Sequence, residues 1–328
     1  MDCLRAAVFS ALLLVPGLAH AQEPLPVNPK PFGLWLQEFK AEAVQKGIKP
    51  ATLDEAFAST QPIGRIVELD RKQPEGRTTL SQYLASAVTS GRIATGRQLL
   101  AEHRELLDTV SSRYGVQPEF IVALWGIETS FGTHTGDFSV VDSLATLAYD
   151  GRRSEYFRKQ LLIALKIIQE EEILSSDMIG SWAGAMGQCQ FMPESFERFS
   201  VDFDGDGHRD IWNTQGDVFA SMANYLTSEG WKGDEGWGFA ARLPEGFDKT
   251  QADINKGRSL SELQKMGVRR EGGNDLPQTD QEAFLIMVGE GDAAAPYVIY
   301  GNYKVLLKWN RSRYFATAVS TLAEAIAR

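Results

Sequence analysis

The residues best suited to do chemistry lie in Val122-Ala-Leu-Trp-Gly-Ile-Glu-Thr-Ser-Phe-Gly132, centred on Glu128. Pro118 and Glu119 suit a first helical turn, where a missing N–H is harmless and an acid favours the dipole. Apolar residues recur at Ile121, Leu124 and Trp125, and the next position on that stripe is Glu128. Desolvating a carboxylate on an apolar face costs several kcal/mol unless it is protonated or paired. One resolution is a raised pKa, giving a protonated acid able to donate to a glycosidic oxygen. The other is a rim glutamate paired with an arginine. The helix alone leaves both open.

A second constellation reads as a metal site. Asp202-Phe-Asp-Gly-Asp-Gly-His-Arg-Asp210 carries oxygen side chains at Asp202, Asp204 and Asp206, a glycine at Gly207 for a sharp turn and a backbone carbonyl at His208. That is the logic of a calcium loop; the plainer reading is an exposed acidic turn. Asn213 stands where an EF-hand has a bidentate glutamate, so Asp210 or Asp217 is expected to complete the shell. A redox-inert, oxygen-held ion would be structural, and no catalytic cofactor is expected.

Other chemistries fall away. Of the four histidines, His20 lies in the N-terminal leader, and His103, His134 and His208 lack metal-ligand spacing. There is no Gly-x-Ser-x-Gly elbow and no phosphate-cradling glycine loop. Cys189, between Met186 and Phe191-Met192, reads as a small buried filler more readily than as a nucleophile. Tyr149, Trp182, Trp212, Trp231 and Trp237 could stack on sugar faces, though any one of them could equally fill a core.

These residues need elements to hold them. Helical periodicity predicts helices over Pro31–Lys46, from Pro50 to Phe57, near Leu80–Thr89 and from Ile93 to Tyr114, with a polar loop from Thr60 to Gly76. Gly115 closes that run and Pro118 opens the helix of Glu128. Asp142 reads as the N-cap of a helix to Tyr149, and Ser154 as the cap of another with Phe157, Leu161, Leu165 and Ile168 on one face. Gly180 to Pro193 reads as a short helix plus a loop, followed by the Asp-rich loop and a helix from Asp217 to Glu229. Ala283–Val288 and Tyr297–Tyr300 are β-like, and helices are expected over Tyr303–Trp309 and Tyr314–Ala327. The predicted fold class is mainly α (α+β), with a small β-containing subdomain.

Residues 1–21 read as a secretory signal: Arg5, an apolar run from Ala6 to Leu14, and an Ala19-His-Ala21 cleavage site. Cys3 precedes the apolar run, so no lipid-attachment cysteine is expected, and no later stretch suits a transmembrane anchor. Removing the leader removes Asp2 and Arg5, so the net charge stays at −10. That balance argues against nucleic acid, whose binding rests on phosphate neutralisation. Of the two cysteines only Cys189 would remain, which excludes an intramolecular disulfide.

Trp125-Gly-Ile-Glu-Thr-Ser-Phe-Gly132, Leu144–Arg153, Gly184-Ala-Met-Gly-Gln-Cys-Gln-Phe-Met-Pro193 and Asp202–Trp212 together resemble the B-type lytic murein transglycosylases. The resemblance runs collinearly from about residue 30 onward. It implies a lysozyme-like helical core, here 116–232, after an N-terminal helical subdomain (22–115) and before a small β-containing subdomain (233–300) and C-terminal helices packing back on the core (301–328). It aligns Glu128 with the family's single catalytic acid, and Ser181, Met186 and Gln190 with its site lining. It aligns Tyr149 with a sugar-facing aromatic, and Asp202, Asp204, Asp206, the His208 carbonyl and Asp217 with a calcium loop. Relatives carry a Tyr-Asn-x-Ser run where this chain reads Trp309-Asn-Arg-Ser312, leaving that hydroxyl unfilled or passed to Tyr303 or Tyr314.

The implied activity is cleavage of the β-1,4 bond between N-acetylmuramic acid and N-acetylglucosamine in peptidoglycan strands, with closure of a 1,6-anhydro ring. The implied place is the periplasm, with wall-remodelling proteins as partners. Two other readings stay open: a hydrolase with a second carboxylate at Asp137 or Asp142, and a non-catalytic wall-binding scaffold.

Overall fold

The computed structural model describes residues 28–72 and 78–328, so the leader expected at residues 1–21 lies outside the described residues. In chain order the helices are α1 (Phe32–Gln45), α2 (Pro50–Ala56), α3 (Gly64–Arg71), α4 (Leu80–Ala87), α5 (Ser90–Glu102), α6 (Arg104–Tyr114), α7 (Pro118–Thr129), α8 (Val140–Asp150), α9 (Ser154–Gln169), α10 (Pro193–Phe199), α11 (Gln215–Ser228), α12 (Leu260–Lys265), α13 (Gly301–Trp309) and α14 (Arg313–Ala327). The strands are β1 (Phe138–Ser139), β2 (Ile179–Gly180), β3 (Gly238–Arg242), β4 (Arg258–Ser259), β5 (Arg269–Arg270), β6 (Glu282–Val288) and β7 (Ala295–Ile299). The fold is mainly helical with a small β region, as the β-like runs at Ala283–Val288 and Tyr297–Tyr300 predict. No described helix is long and apolar enough to cross a membrane.

The chain forms two compact units, each assembled from separated stretches: 28–72 with 128–224, and 78–127 with 225–328 among the described residues. In the first, α8 and α9 pack together, with α3 on α8 and α2 and α10 on α9. Residues 140–141 and 143–148 of α8 are buried, and α9 turns Phe157, Leu161, Ala164, Leu165 and Ile168 inward. A ladder of rings from Phe32 through Trp35 to Phe39 secures α1, with centroids 5.6 and 5.5 Å apart, and the Arg158 guanidinium lies over Trp35 and Phe39 while pairing with Glu42.

In the second unit a five-stranded antiparallel sheet runs β4-β6-β7-β3-β5, with Leu285 opposite Val298 and Phe284 opposite Ile299. Leu260 and Leu263 of α12 join Ala241, Val268, Ala283, Leu285 and Val298 in its buried cluster. The capping box of α12, in which Ser259 and Glu262 exchange bonds with each other's backbone N–H, starts that helix. α14 packs on α4, α5 and α13.

Four details differ from the sequence reading. The stretch from Thr60 reads as a polar loop, yet α3 forms there. Its buried positions are Ile66 and Asp70, and the second is covered by arginines in place of apolar side chains. The single helix read over Ile93–Tyr114 is two, divided at His103, whose ring meets Trp125 edge-on at 6.0 Å. Asp142 does not cap α8; Ser139 does, accepting its N–H at 3.2 Å, and Ser154 is the first residue of α9 after a left-handed Arg153 (φ +58°). Between Gly180 and Pro193 there is no helix, because its hydrogen bonds close turns and bridges.

Asp70 is 1% exposed and receives Arg153 at 2.5 Å and Arg152 at 3.3 Å, from side chains that are themselves about a third exposed. Asp70→Ala is expected to destabilise the protein by about 2 kcal/mol, in the range of hydrogen bonds to charged groups, since the arginines still reach solvent. Urea denaturation measures it.

Candidate active site

Glu128 stands where α7 emerges from the protein. Residues Phe120 to Trp125 are buried all round the helix, so the predicted stripe is in fact a fully enclosed cylinder. After the buried run that ends at Gly126, Ile127 and Glu128 regain partial exposure. A carboxylate there lies at the negative end of the helix dipole. The chain then takes three left-handed residues in succession, Ser130 (φ +50°), Phe131 (φ +61°) and Gly132 (φ +79°). Thr129 holds this turn: its hydroxyl accepts the Gly132 N–H at 2.9 Å and donates to Gln188 O at 3.3 Å, and its carbonyl accepts His134 N–H at 2.9 Å.

The segment after β2 forms a knot of short bonds against this turn. β2 pairs with β1, Phe138 opposite Gly180. Ser181 Oγ accepts the Ala185 N–H (3.0 Å), and Ser181 N–H donates to Ala185 O (2.8 Å). Met186 and Phe191 exchange backbone bonds of 2.8 and 3.1 Å. Gln190, left-handed at φ +51°, donates through Nε2 to Thr135 O and Gly187 O, both at 3.0 Å. Only glycine serves at 136, where φ is +106° and an added Cβ would fall 2.0 Å from Gly180 O.

The structure therefore brings Ser181, Met186 and Gln190 into one loop, fastened to the turn after Glu128 through Thr129 and Thr135. Met186 is fully buried, so it supports the loop from beneath and offers no surface for contact. The contacts of Tyr149 lie elsewhere: its hydroxyl donates to Lys30 O at 2.7 Å, and its ring packs edge-on to Phe32 and Trp35. Cys189 is wholly buried and donates to Val218 O at 3.5 Å. Burial pushes its thiol well up, with the negative charges of Glu128 and Asp217 adding to the effect, so the nucleophile reading is excluded.

The aspartate loop is folded by its own side chains. Asp202 accepts the N–H groups of Gly205 (2.7 Å) and Gly207 (3.0 Å), Asp204 that of Asp206 (3.2 Å), and Asp206 that of His208 (2.8 Å). Asp217, in the first turn of α11, reaches back to accept from Phe203 and Asp210, each at 2.7 Å. One oxygen each from Asp202, Asp204 and Asp217 lies within 4.8 Å of the others. Burial holds the Asp217 carboxyl above the usual aspartate range, with Asp204 and Asp202 pushing the same way against the two backbone donors. A hard divalent cation would cancel that repulsion, so this all-oxygen donor set fits one. Asp206 lies outside this carboxylate group. Asp210 caps the N–H groups of Trp212 and Asn213 at 2.9 Å, so Asp217 and not Asp210 joins it.

Of the aromatics, Trp231 and Trp237 are core residues, the first packed on Phe120 and donating to Gln117, the second packed near Tyr297 and Tyr303. Trp182 and Trp212 are half-buried. Tyr303 is fully buried and bonded to Arg313 O and Thr317 Oγ1, so it cannot supply the hydroxyl missing at Trp309; Tyr314 stays half-exposed beside Tyr83. Thr129, Thr135 and Gln188 escape sequence reasoning because they act through hydrogen bonds to the backbone. The one signal pointing to them is the glycine density around them.

Among families, the transglycosylase SLT domain matches residues 31–324. The chain is 33% identical over 254 residues to the membrane-bound lytic murein transglycosylase B of Escherichia coli (strain K12), covering 75% of this chain and 67% of that protein. It is similar to the crystal structure of SltB3 from Pseudomonas aeruginosa in complex with NAG-anhNAM-pentapeptide, at 43% identity and TM-score 0.86 over 90% of this chain and 79% of that one. The Escherichia coli lytic transglycosylase SLT35 in complex with calcium matches at 29% identity and TM-score 0.77, over 89% and 92% of the two chains.

Gly136→Ala is expected to cost about 2 kcal/mol or more, because the colliding atoms are backbone and the conformation is left-handed. Gly33→Ala in α1, where nothing lies within 4 Å of the new Cβ, is the control, expected to be neutral or stabilising by up to about 1 kcal/mol. Thermal denaturation of both variants makes the comparison.

Proposed function

Because the chain belongs to the transglycosylase SLT-domain family it is a lytic murein transglycosylase, and we propose that Glu128 is its single catalytic acid and base. The observation that carries this reading is the half-buried Glu128 at the end of an enclosed helix, with the next residue, Thr129, bonded to Gln188 of the loop after β2. Glu128 protonates the β-1,4 oxygen between N-acetylmuramic acid and N-acetylglucosamine. The substrate's N-acetyl group stabilises C1 as the bond breaks. The Glu128 carboxylate then takes the proton from the C6 hydroxyl, whose oxygen attacks C1 and closes the 1,6-anhydro ring. No water enters, so no second carboxylate is needed, in contrast to two-carboxylate glycosidases. That SltB3 is recorded with a NAG-anhNAM-pentapeptide supports this product for a relative of 43% identity.

Ser181 and Gln190 line the sugar subsites in this reading, and Met186 backs them. Tyr149, whose hydroxyl hydrogen is engaged by Lys30 O, can contribute its ring and an accepting oxygen. Asp202, Asp204 and Asp217 would hold a structural calcium ion, with Asp206 and the His208 carbonyl, which lie outside that carboxylate group, as further oxygens of the same loop; a relative recorded with calcium supports this. When bound, the ion supplies charge neutralisation that fixes the loop and takes no part in proton transfer. The residues proposed for catalysis and for metal holding all fall between 128 and 217, inside the segment 116–232 assigned to the catalytic core. The place of action is the periplasm, on glycan strands.

Mass spectrometry of products released from purified murein should find muropeptides ending in an anhydro sugar, one water lighter than the reducing form. Reducing ends would transfer the reading to a hydrolase. Glu128→Gln should retain strand binding and lose turnover by roughly three orders of magnitude or more, within the scale of removing a general acid–base group.

Calcium should raise the melting temperature, and the sign of its pH dependence follows from Asp217. A carboxyl raised on folding stabilises while protonated, below its unfolded pKa of about 3.9, and loses that contribution as pH rises through the folded value. The cation binds the deprotonated form, so its stabilisation should be small near pH 4 and full at neutral pH. An increment independent of pH, or surviving Asp217→Asn undiminished, would remove Asp217 from the shell.

A further inference from the structure

Gln188 has no chemistry of its own, yet it touches both halves of the site. Its N–H donates to Ile211 O and its Nε2 to Trp212 O, both at 2.8 Å, at the far end of the metal loop. Its backbone carbonyl accepts the hydroxyl of Thr129, the residue beside Glu128, at 3.3 Å, so the Nε2 bond to Trp212 O is the part of the link that belongs to the side chain. At 9% exposure these bonds are shielded from water, where they are stronger than on a surface. The surroundings give no slack: a Cβ on Gly187 would fall 2.6 Å from Ile211 O, and Cys189 Sγ meets the carbonyl of Val218, next to Asp217. Ile211 follows Asp210, whose N–H is held by Asp217. A continuous chain of bonds and neighbours thus runs from Asp217 through Asp210, Ile211 and Trp212, Gln188 and Thr129 to Glu128.

We propose that Gln188 is a positioning residue: it sets the Glu128 end of α7 against the metal loop, so that a divalent cation in the loop tightens the alignment of the acid. Spatial continuity alone does not establish coupling, and a thermodynamic cycle does. The proposal rests on Glu128 being the acid, and part of its test is independent of that assignment.

The test compares the full chain with Gln188→Ala, each with calcium added and with calcium stripped. In the calcium-bound state Gln188→Ala should lose roughly tenfold or more in kcat with KM for glycan strands changed less than about twofold, as misalignment of a reacting group produces. Calcium should still raise its melting temperature, because every ligand remains, but should no longer raise its kcat. Hydrogen exchange gives the readout independent of activity. In the wild-type chain calcium should slow exchange of the amides of residues 130–134, and in Gln188→Ala, which keeps the backbone bonds to Ile211 and Thr129 but loses the one to Trp212, that slowing should fall to about half or less.

Should Gln188→Ala not fold, Thr129→Val carries the same expectation, and Thr129→Ser, which keeps the hydroxyl, should restore both kcat and the calcium-dependent exchange. Equal calcium effects on exchange in wild type and Gln188→Ala overturn the proposal, as does no calcium effect at 130–134 in wild type. Turnover retained by Glu128→Gln would overturn the acid assignment while leaving the exchange result to stand by itself.

Discussion

The way α7 ends is the constraint on which the site depends. A helix enclosed on every side from Phe120 to Trp125 cannot rotate or slide without opening voids. Its last residues therefore come out at a fixed angle. Immediately beyond, Ser130 and Phe131 adopt a hand that costs an L-residue roughly 1–2 kcal/mol each. That strain persists because Thr129 holds the turn from inside, by side chain and by carbonyl. Glu128 is thus fixed by packing on one side and by an over-determined turn on the other.

The loop opposite is irregular for a related reason. Regular structure spends its backbone N–H and C=O groups on itself, whereas the segment from Gly180 to Phe191 directs them into one-residue contacts with neighbouring loops. Ser181, Met186 and Gln190 each spend part of their bonding on maintaining that course, which leaves their orientation little freedom. The aspartate loop solves the opposite problem. There, carboxylates that repel one another are held close by backbone donors, and the unfavourable arrangement is what gives a cation its binding energy.

What could be read in the sequence follows from which physical signals are local. The buried runs of β6 and β7, the proline and glycine that bracket α7, and the aspartate spacing all declare themselves within about ten residues. Element α3 does not, since its inward positions are one isoleucine and one aspartate, and the aspartate is satisfied by Arg152 and Arg153, some eighty residues on. The break at His103, whose ring meets Trp125 some twenty residues on, has no local mark either. Within the site, Glu128 announces itself by being wrong for its helix. Ser181 and Gln190 came only through resemblance to a family, as no periodicity marks them. Gln188 and Thr129 are marked only by the glycines around them, because backbone-directed bonds can be made by many residue types.

The burial of Cys189 carries a consequence for handling the protein. It is the only cysteine among the described residues, and its thiol is sealed from solvent and held protonated beside Glu128 and Asp217. In an oxidising compartment a lone exposed thiol would cross-link copies of the chain; a sealed one cannot. The same seal turns Cys189 into a native clock for breathing of the site. A maleimide reaches the sulfur only when the loop around residues 187–190 lifts, so the labelling rate counts openings of the very segment that faces the acid, with no engineered probe.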